Sequence, residues 1–182
     1  VRFFKRLGSA MSKVLVTTYI FPPILLAIPY SVVMGKLGLI NTRIGLVIVY
    51  LSFSVPYAVW LLTGFFRTVP LEIEEAARID GYSEFGIFCR IVLPNVKPAL
   101  SALVIYMFTS MWNNFMWPLI VLETKDMYNF PVALAVLDGN PTNKDFAVIL
   151  LATAIATLPI LIIFMVFQKQ FVAGVMGGAV KE

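Results

Sequence analysis

The sequence predicts an all-α, polytopic membrane protein, and its composition is the first observation that does so. Hydrophobic residues make up 60% of the 182 residues, charged residues make up 13%, and the mean hydropathy is +0.90. Soluble domains carry about 25% charged residues, so this balance excludes a disordered chain and disfavours a soluble one. With no histidine and a single cysteine, Cys89, the sequence predicts no disulfide and no metal site.

Four intervals without a charged residue are the second observation. They span 14–35, 44–66, 98–122 and 146–168 and contain 22, 23, 25 and 23 residues. At 1.5 Å per residue each forms a helix of roughly 33–38 Å, which is enough to cross a hydrocarbon core of about 30 Å. Because the intervals lack the polar stripe of a helix in a soluble bundle, they predict four transmembrane crossings within one domain, 1–182.

The distribution of basic residues predicts the orientation of these crossings. Ten of the 14 lysines and arginines lie with the two termini and the loop 68–97, and four lie on the other side. Cytoplasmic loops carry the excess of Lys and Arg. We therefore expect both termini of this segment in the cytoplasm, and this charge bias fits the plasma (inner) membrane of any bacterium or archaeon. The net charge of +4 reflects this topology and does not indicate nucleic-acid binding.

The N-terminal stretch is basic and leads directly into the first crossing. It lacks the short apolar core and the small-residue cleavage site of a signal peptide. The sequence begins with Val1 rather than Met, so either it is a fragment of a longer chain or its start was placed late.

The loop 68–97 predicts a first short helix. Pro70 suits the first turn of a helix, and the glutamates that follow it favour the positive end of the helix dipole. Gly81 stands where a left-handed C-terminal cap belongs. The first helix is therefore predicted from about Pro70 to Asp80.

A second short helix follows in the same loop. Ser83 can cap its N-terminus, and the helix is predicted to run to about Val92 before Pro94 stops it. We call the helix–Gly–helix unit of residues 68–97 the elbow.

The two helices of the elbow are predicted to have different faces. On the first, Ile73, Ala76 and Ala77 share one side, and the alanines form a low strip that another surface can approach closely. The opposite side holds polar residues such as Glu74. The second helix carries an apolar stripe that is predicted to pack on the inner ends of the crossings; it comprises Phe85, Phe88, Cys89 and Val92.

The spacing within the elbow resembles the EAA loop of ABC importer permeases, the membrane subunits of binding-protein-dependent transporters. The family pattern is E-A-A, three residues, G, nine residues and then I-x-L-P. Every element is present at the same distance, namely Glu75, Ala76, Ala77, Gly81, Ile91, Leu93 and Pro94.

The remainder of the chain resembles the carbohydrate branch of this family, in particular its maltose-type subunits. The similarity lies in segments 37–70, 111–122 and 156–182, and it corresponds to about the C-terminal two-thirds of a family member. It implies the transmembrane-domain fold of type I ABC importers without the first crossings, because such permeases usually have six. The family often has W-N-E-F where this chain has Trp112–Phe115.

The resemblance implies a non-catalytic subunit of an ATP-driven sugar importer. Its implied partners are two ATP-binding subunits, a second permease subunit, an extracytoplasmic sugar-binding protein and the lipid bilayer. ATP and Mg would be bound by the partner ATPase, with no cofactor in this chain, which has no G-x-x-x-x-G-K-[ST] loop. Two sets of elbow residues would act: Glu75, Ala76, Ala77 and Gly81 would dock the ATPase, while Ile91, Leu93 and Pro94 would join the elbow to the third crossing.

Two adjacent amides, Asn113 and Asn114, lie inside the third predicted crossing. Amides in hydrocarbon need hydrogen-bond partners, so one interpretation is a contact between helices. The other is a polar point on the sugar pathway, where amides and aromatic faces suit hydroxyl-rich ligands. The turn residues of the loop 123–145 predict an ordered extracytoplasmic loop. The resemblance implies that this loop faces the binding protein.

Three other functions remain to be weighed. An ion-coupled secondary transporter fragment is disfavoured because the four intervals contain no charged residue. An integral-membrane enzyme is disfavoured because the sequence offers no histidine and no intramembrane acid pair. Only the resemblance to the carbohydrate branch argues against an ABC permease for a non-sugar solute.

Overall fold

The computed structural model describes residues 11–15, 17–18, 21–139 and 145–179, and within these ranges it is helical without a β-strand. The basic stretch before Met11 and the turn residues Asn140 and Pro141 of the outer loop lie outside the described residues. The helices are α1 (Ala27–Lys36), α2 (Arg43–Thr68), α3 (Leu71–Ile79), α4 (Glu84–Ile87), α5 (Leu93–Asn95), α6 (Lys97–Trp112), α7 (Met116–Val121), α8 (Phe130–Asp138) and α9 (Phe146–Ala179). Two 3₁₀ turns (Pro23–Leu26 and Lys125–Met127) and one π-helical turn (Phe88–Val92) lie next to or between these helices, and residues 11–15 and 17–18 are also helical.

Among the residues that the structure describes, two helices are long and apolar enough to cross a membrane, and they match the second and fourth predicted crossings. These are α2, with 26 residues, and the Phe146–Lys169 part of α9, with 24. Each contains a proline, Pro56 and Pro159 respectively, without ending there. No residue of the Phe146–Lys169 span is buried, so its apolar surface is left for lipid or for another chain.

The first predicted crossing, 14–35, is not one continuous helix. The chain bends at Phe21 and Pro22 before the 3₁₀ turn, and the 10 residues of α1 reach only about 15 Å. The cause is the Pro22–Pro23 pair, because two consecutive prolines remove two backbone donors. The first predicted crossing is therefore interrupted at these prolines rather than formed by one continuous helix.

The third predicted crossing, 98–122, is also interrupted. Helix α6 ends at Trp112 and α7 begins at Met116. The Asn114 side-chain oxygen accepts a hydrogen bond from the Trp117 N–H (3.0 Å), and the Asn129 side chain donates to the Asn114 carbonyl (2.6 Å). These bonds satisfy backbone groups that the break releases, which is what permits a broken helix at this depth.

The main core lies where α1, α2 and α7 meet. Trp117 is its centre, with the ring of Phe53 stacked at 4.9 Å and the ring of Tyr30 at 5.4 Å between centroids. Helix α9 packs along α6, and the Trp112 indole N–H donates to the Ala156 carbonyl across them (2.9 Å). The buried members of the core are Met34, Val49, Trp117, Val121 and Leu122.

Asn41 joins the loop before α2 to the segment after α7. Its φ of +57° is left-handed, a conformation that asparagine tolerates better than most residues. The side-chain oxygen of Asn41 accepts hydrogen bonds from the Glu123 N–H (3.0 Å), the Thr124 N–H (3.1 Å) and the Thr124 hydroxyl (3.2 Å). The Asn41 N–H donates to the Val121 carbonyl (2.7 Å). We call this set of bonds the outer clamp.

Replacing Asn41 with alanine is expected to destabilise the protein by about 2 kcal/mol, because it removes three accepted hydrogen bonds and strains a left-handed backbone. Thermal unfolding of the detergent-purified protein measures this loss. Asn41→Gly separates the two causes, since it removes the acceptor but relieves the strain, and it should lose less. Equal stability of Asn41→Ala and the parent protein would contradict the outer clamp.

Candidate functional site

The first arm of the elbow is helix α3, and it ends as the sequence predicts. Gly81 has φ +83°, its N–H donates to the Arg78 carbonyl (3.1 Å), and the Tyr82 N–H donates to the Ala77 carbonyl (3.0 Å). This is the Schellman arrangement, in which a left-handed glycine lets two amides bond to carbonyls of the last helical turn. Gly81 therefore fixes the direction in which the chain leaves α3.

The second arm begins at Ser83, whose hydroxyl oxygen accepts from the Gly86 N–H (3.2 Å) as predicted. Its end differs from the prediction, because helical structure continues through Pro94 to Asn95. The Leu93 N–H bonds to the Phe88 carbonyl, five residues back, and this wider π turn accommodates the proline that follows. The arm then meets α6 at a bend of 70°.

The inner side of the elbow is a small apolar core. Ala77, Ile87 and Val92 are buried in it, and Phe88 contacts Phe66 at the end of α2 with ring centroids 6.3 Å apart. Ile91 packs against the same core. The second arm is thus attached to α2 as well as to α6.

The predicted faces of α3 need correction. Ala77 is 4% exposed and Glu74 is 1% exposed, so both point into the elbow, whereas Glu75 and Ala76 are on the outside. Glu74 and Ala77 lie three residues apart on one helical face, and the second arm packs on that face. An Arg78 nitrogen lies 4.0 Å from a Glu74 carboxylate oxygen. The alanine pair therefore does not form one exposed strip.

A bidentate ion pair between Arg78 and Glu84 connects the two arms of the elbow on either side of Gly81. The Arg78 Nε donates to Glu84 Oε1 (2.7 Å), and its Nη2 donates to Oε2 (3.2 Å). These hydrogen bonds lower the pKa of the Glu84 carboxyl and raise the pKa of Arg78. The ion pair therefore stabilises the folded elbow at pH values above the ordinary pKa of glutamate. This stabilisation is lost as the pH falls through the lowered pKa of Glu84.

The junction of the two arms, around Gly81, exposes large apolar side chains that the sequence reasoning did not assign to a surface. Ile79 is 87% exposed and Phe85 is 76% exposed, and Tyr82 lies between them in sequence. Phe85 was predicted to pack inward, but Ile87 occupies that position instead. We call Ile79, Tyr82 and Phe85 the tip. Large apolar side chains exposed outside the membrane-spanning helices are typical of a protein interaction site.

The remaining predicted elbow residues lie where the second arm turns towards α6. Leu93 is half-buried and Pro94 is exposed, while Val96, at the bend itself, is buried. The Asn95 side chain donates to the Ile91 carbonyl (2.7 Å) and reinforces the turn before the bend.

The two amides of the broken crossing face different clefts. Asn114 is half-buried and lines a cleft of about 270 Å³ between α2, α6 and α7. Asn113 is exposed and lines a separate cleft, also of about 270 Å³, against α8 and α9. The Asn114 side chain accepts a backbone hydrogen bond from Trp117, and Asn113 lines the other cleft, so the adjacent amides do not form one polar point.

Comparison with known proteins defines the family. Residues 1–177 match the model of the binding-protein-dependent transport system inner membrane component family. The chain belongs to this family. The membership agrees with the all-α permease fold and with the position of the elbow between membrane helices.

Permeases of this family that resemble the chain include two curated bacterial proteins. One is the arabinooligosaccharides transport system permease protein AraQ of Halalkalibacterium halodurans, which is 38% identical over 86% of this chain and 55% of the relative. Another is the melibiose/raffinose/stachyose import permease protein MelC of Bacillus subtilis strain 168, which is 32% identical over 97% of this chain and 64% of the relative. The chain therefore spans between about half and two-thirds of their length.

A solved structure also resembles this permease. It is a bacterial ABC transporter involved in the import of the acidic polysaccharide alginate, with a TM-score of 0.62 and 28% sequence identity. The match covers 79% of this chain and 55% of the other.

Proposed function

We propose that this chain is the membrane-spanning permease subunit of an ATP-driven, binding-protein-dependent sugar importer, coupled to separate ATPase subunits through the elbow. The observation that carries the proposal is the construction of the elbow. Its tip is apolar and exposed, whereas its inner side is closed on α2 by Phe66 and Phe88. A partner that contacts the tip would therefore act on a unit that is fixed to the membrane helices.

The elbow is suited to transmit a displacement. Its first arm ends in the Gly81 cap, and the Arg78–Glu84 ion pair holds the two arms together. Its second arm continues through the bend at Val96 into α6 and also contacts α2. Movement of the tip would therefore change the positions of α2 and α6, the two helices that flank the cleft beside Asn114.

The family supports a set of partners for this subunit. We propose two ATP-binding subunits at the cytoplasmic elbows, a second permease subunit beside this one and a sugar-binding protein on the side of the outer clamp. ATP and Mg would be held by the ATPases, and this chain would not be an enzyme. The excess of basic residues supports a cytoplasmic location of both termini and of the elbow.

Sugar is the cargo that the relatives favour. The names of AraQ and MelC specify oligosaccharides, and the solved transporter imports a polysaccharide. The extent of the similarity, 97% of the chain in the case of MelC, supports the same class of cargo here.

Reconstitution tests the proposal. The full chain, co-expressed with its partner permease and ATPase, is placed in proteoliposomes with the binding protein and labelled arabinotriose or melibiose. We expect uptake that requires ATP and disappears when the ATPase carries a substitution in its own phosphate-binding loop. ATP hydrolysis that is stimulated by the binding protein without uptake of any tested sugar would contradict a sugar cargo.

A further inference from the structure

The cleft beside Asn114 has the chemistry of a carbohydrate site. We propose that it binds one neutral sugar ring of the transported oligosaccharide, with aromatic rings packing on the ring's C–H faces and side chains of α2 and α6 bonding its hydroxyl groups. This inference rests on the proposed function, because it assigns a place on the pathway to that cargo. The side chains that carry it are Ser54, Tyr57, Tyr106, Ser110 and Asn114.

Aromatic rings form the walls of the cleft. Tyr57 of α2 and Tyr106 of α6 are stacked with centroids 4.6 Å apart, and Phe53 is stacked on Trp117 at 4.9 Å. All four residues line the cleft, but Trp117 is buried in the main core, so the aromatic surface open to a ligand is that of Phe53, Tyr57 and Tyr106. A sugar ring offers a flat apolar face of C–H groups, which suits aromatic side chains, and tyrosine adds a polar end.

Hydroxyl groups are available between these rings. In the part of the chain that the structure describes, the side-chain hydroxyls of Ser54 and Ser110 have no hydrogen-bond partner. Ser52, two residues before Ser54, behaves differently, because its hydroxyl donates to the Ile48 carbonyl of its own helix (2.9 Å). That bond is the usual solution for a serine in a membrane helix. The hydroxyls of Ser54 and Ser110 are thus free to exchange hydrogen bonds with a ligand.

Asn114 places an amide at the same cleft. Its oxygen accepts from the Trp117 N–H, which fixes the side chain. The amide NH₂ group donates to no other described residue, so it can donate to a sugar hydroxyl. Asn113 does not line this cleft and is not part of the site.

The charge of the cleft restricts the class of sugar. None of the residues that line it is charged. A uronate carries a carboxylate, which would have to leave water without a cationic partner, and that is costly. We therefore assign the cleft to a neutral saccharide, in contrast to the acidic cargo of the structurally similar alginate transporter.

The size of the cleft restricts how much of the cargo it can hold. Its volume of about 270 Å³ is at the lower end of the range for small-molecule sites, about 300–1,000 Å³. This suits one sugar ring rather than a complete oligosaccharide. The site also lies between α2 and α6, which the elbow connects, so elbow movement would change its width.

The test uses the reconstituted complete transporter and counts sugar molecules imported per ATP hydrolysed, with labelled melibiose, arabinotriose and an alginate trisaccharide as probes. Ser54→Ala and Ser110→Ala are each expected to lower import of the neutral sugars per ATP about two- to tenfold, the effect of one hydrogen bond. Tyr106→Leu should lower it by a similar factor, and Tyr106→Phe should lower it less because the ring remains. Ser52→Ala is the matched control and should import normally.

The outcomes separate this inference from the proposed function. Neutral sugar import that falls in the cleft variants but not in Ser52→Ala, with ATPase stimulation retained, supports the site. Normal import by Ser54→Ala, Ser110→Ala and Tyr106→Leu overturns the site and leaves the importer function standing. Import of the alginate trisaccharide in preference to both neutral sugars overturns the neutral-sugar assignment. No import of any sugar by the parent transporter overturns both proposals.

Discussion

Replacing Gly81 with valine is expected to abolish sugar uptake while the protein still inserts in the membrane. The residue has φ +83°, and a left-handed conformation costs a non-glycine residue about 1–2 kcal/mol, with the largest penalty for a β-branched side chain. A β-carbon at Gly81 would meet no heavy atom within 4 Å. The defect must therefore come from the backbone, through loss of the cap that sets the angle between the arms.

The measurement is uptake and ATP hydrolysis by the same proteoliposomes. Gly81→Val should uncouple them, so that hydrolysis no longer depends on the binding protein or no longer drives uptake. Gly81→Asn is the control, because asparagine tolerates the left-handed region, and it should retain much of the coupling. Wild-type uptake by Gly81→Val would show that the elbow angle is not used in transport.

The second large effect, loss of the bound ATPase, is expected when charge is introduced at the tip. Substituting both Ile79 and Phe85 with glutamate is expected to remove the ATPase from the purified complex. Each residue exposes an apolar side chain where the two arms of the elbow meet, and glutamate would make that surface charged. Interfaces lose most affinity when such central apolar groups become charged, since the partner surface must then desolvate a carboxylate. Both side chains are more than three-quarters exposed, so the folded elbow tolerates the change.

Co-purification of the ATPase with the tagged permease measures this effect. Ile79→Leu together with Phe85→Leu keeps the tip apolar and serves as the matched control, which should retain the ATPase. If the double glutamate variant also retains it at normal stoichiometry, the tip is not the docking surface.

The regular parts of the fold followed from simple patterns in the sequence. Helix α2 and the span of α9 appear where uncharged intervals predict them, because a long apolar run in lipid has no alternative to a helix. Gly81 and Ser83 act as the caps that their residue types predict. These features depend on interactions between residues that are close in the sequence, so a single sequence is enough to predict them.

The sequence-based predictions were wrong where tertiary contacts decide which side of a helix is buried or where a helix ends. Ala77 and Phe85 were assigned to the wrong sides because an amphipathic arm has two possible orientations, and the packing on Phe66 and Val92 selects one. Pro94 does not stop its helix because a π turn before it takes up the distortion. Such a turn has no simple signature in composition.

In the candidate site, too, some residues could be predicted from the sequence and others only from the structure. The E-A-A and glycine spacing located the elbow, but the tip residues lie outside that pattern and became visible only through their exposure. Asn114 was a candidate from its amide, whereas its separation from Asn113 follows from the helix break and the Asn129 bond. The serines of the cleft carried no signal, because the sequence does not reveal which hydroxyls lack a backbone partner.

The docking of the elbow on an ATPase is the central claim, and a site-directed crosslink tests it most directly. In a Cys89→Ser background, one cysteine at Ile79 is paired with single cysteines placed across the surface of the co-expressed ATPase. Ala77→Cys is the control, because Ala77 is buried inside the elbow. We predict a crosslink from position 79 that changes in yield with ATP and none from position 77. No crosslink from position 79 in an inserted, folded complex, or equal crosslinking from both positions, would contradict the claim.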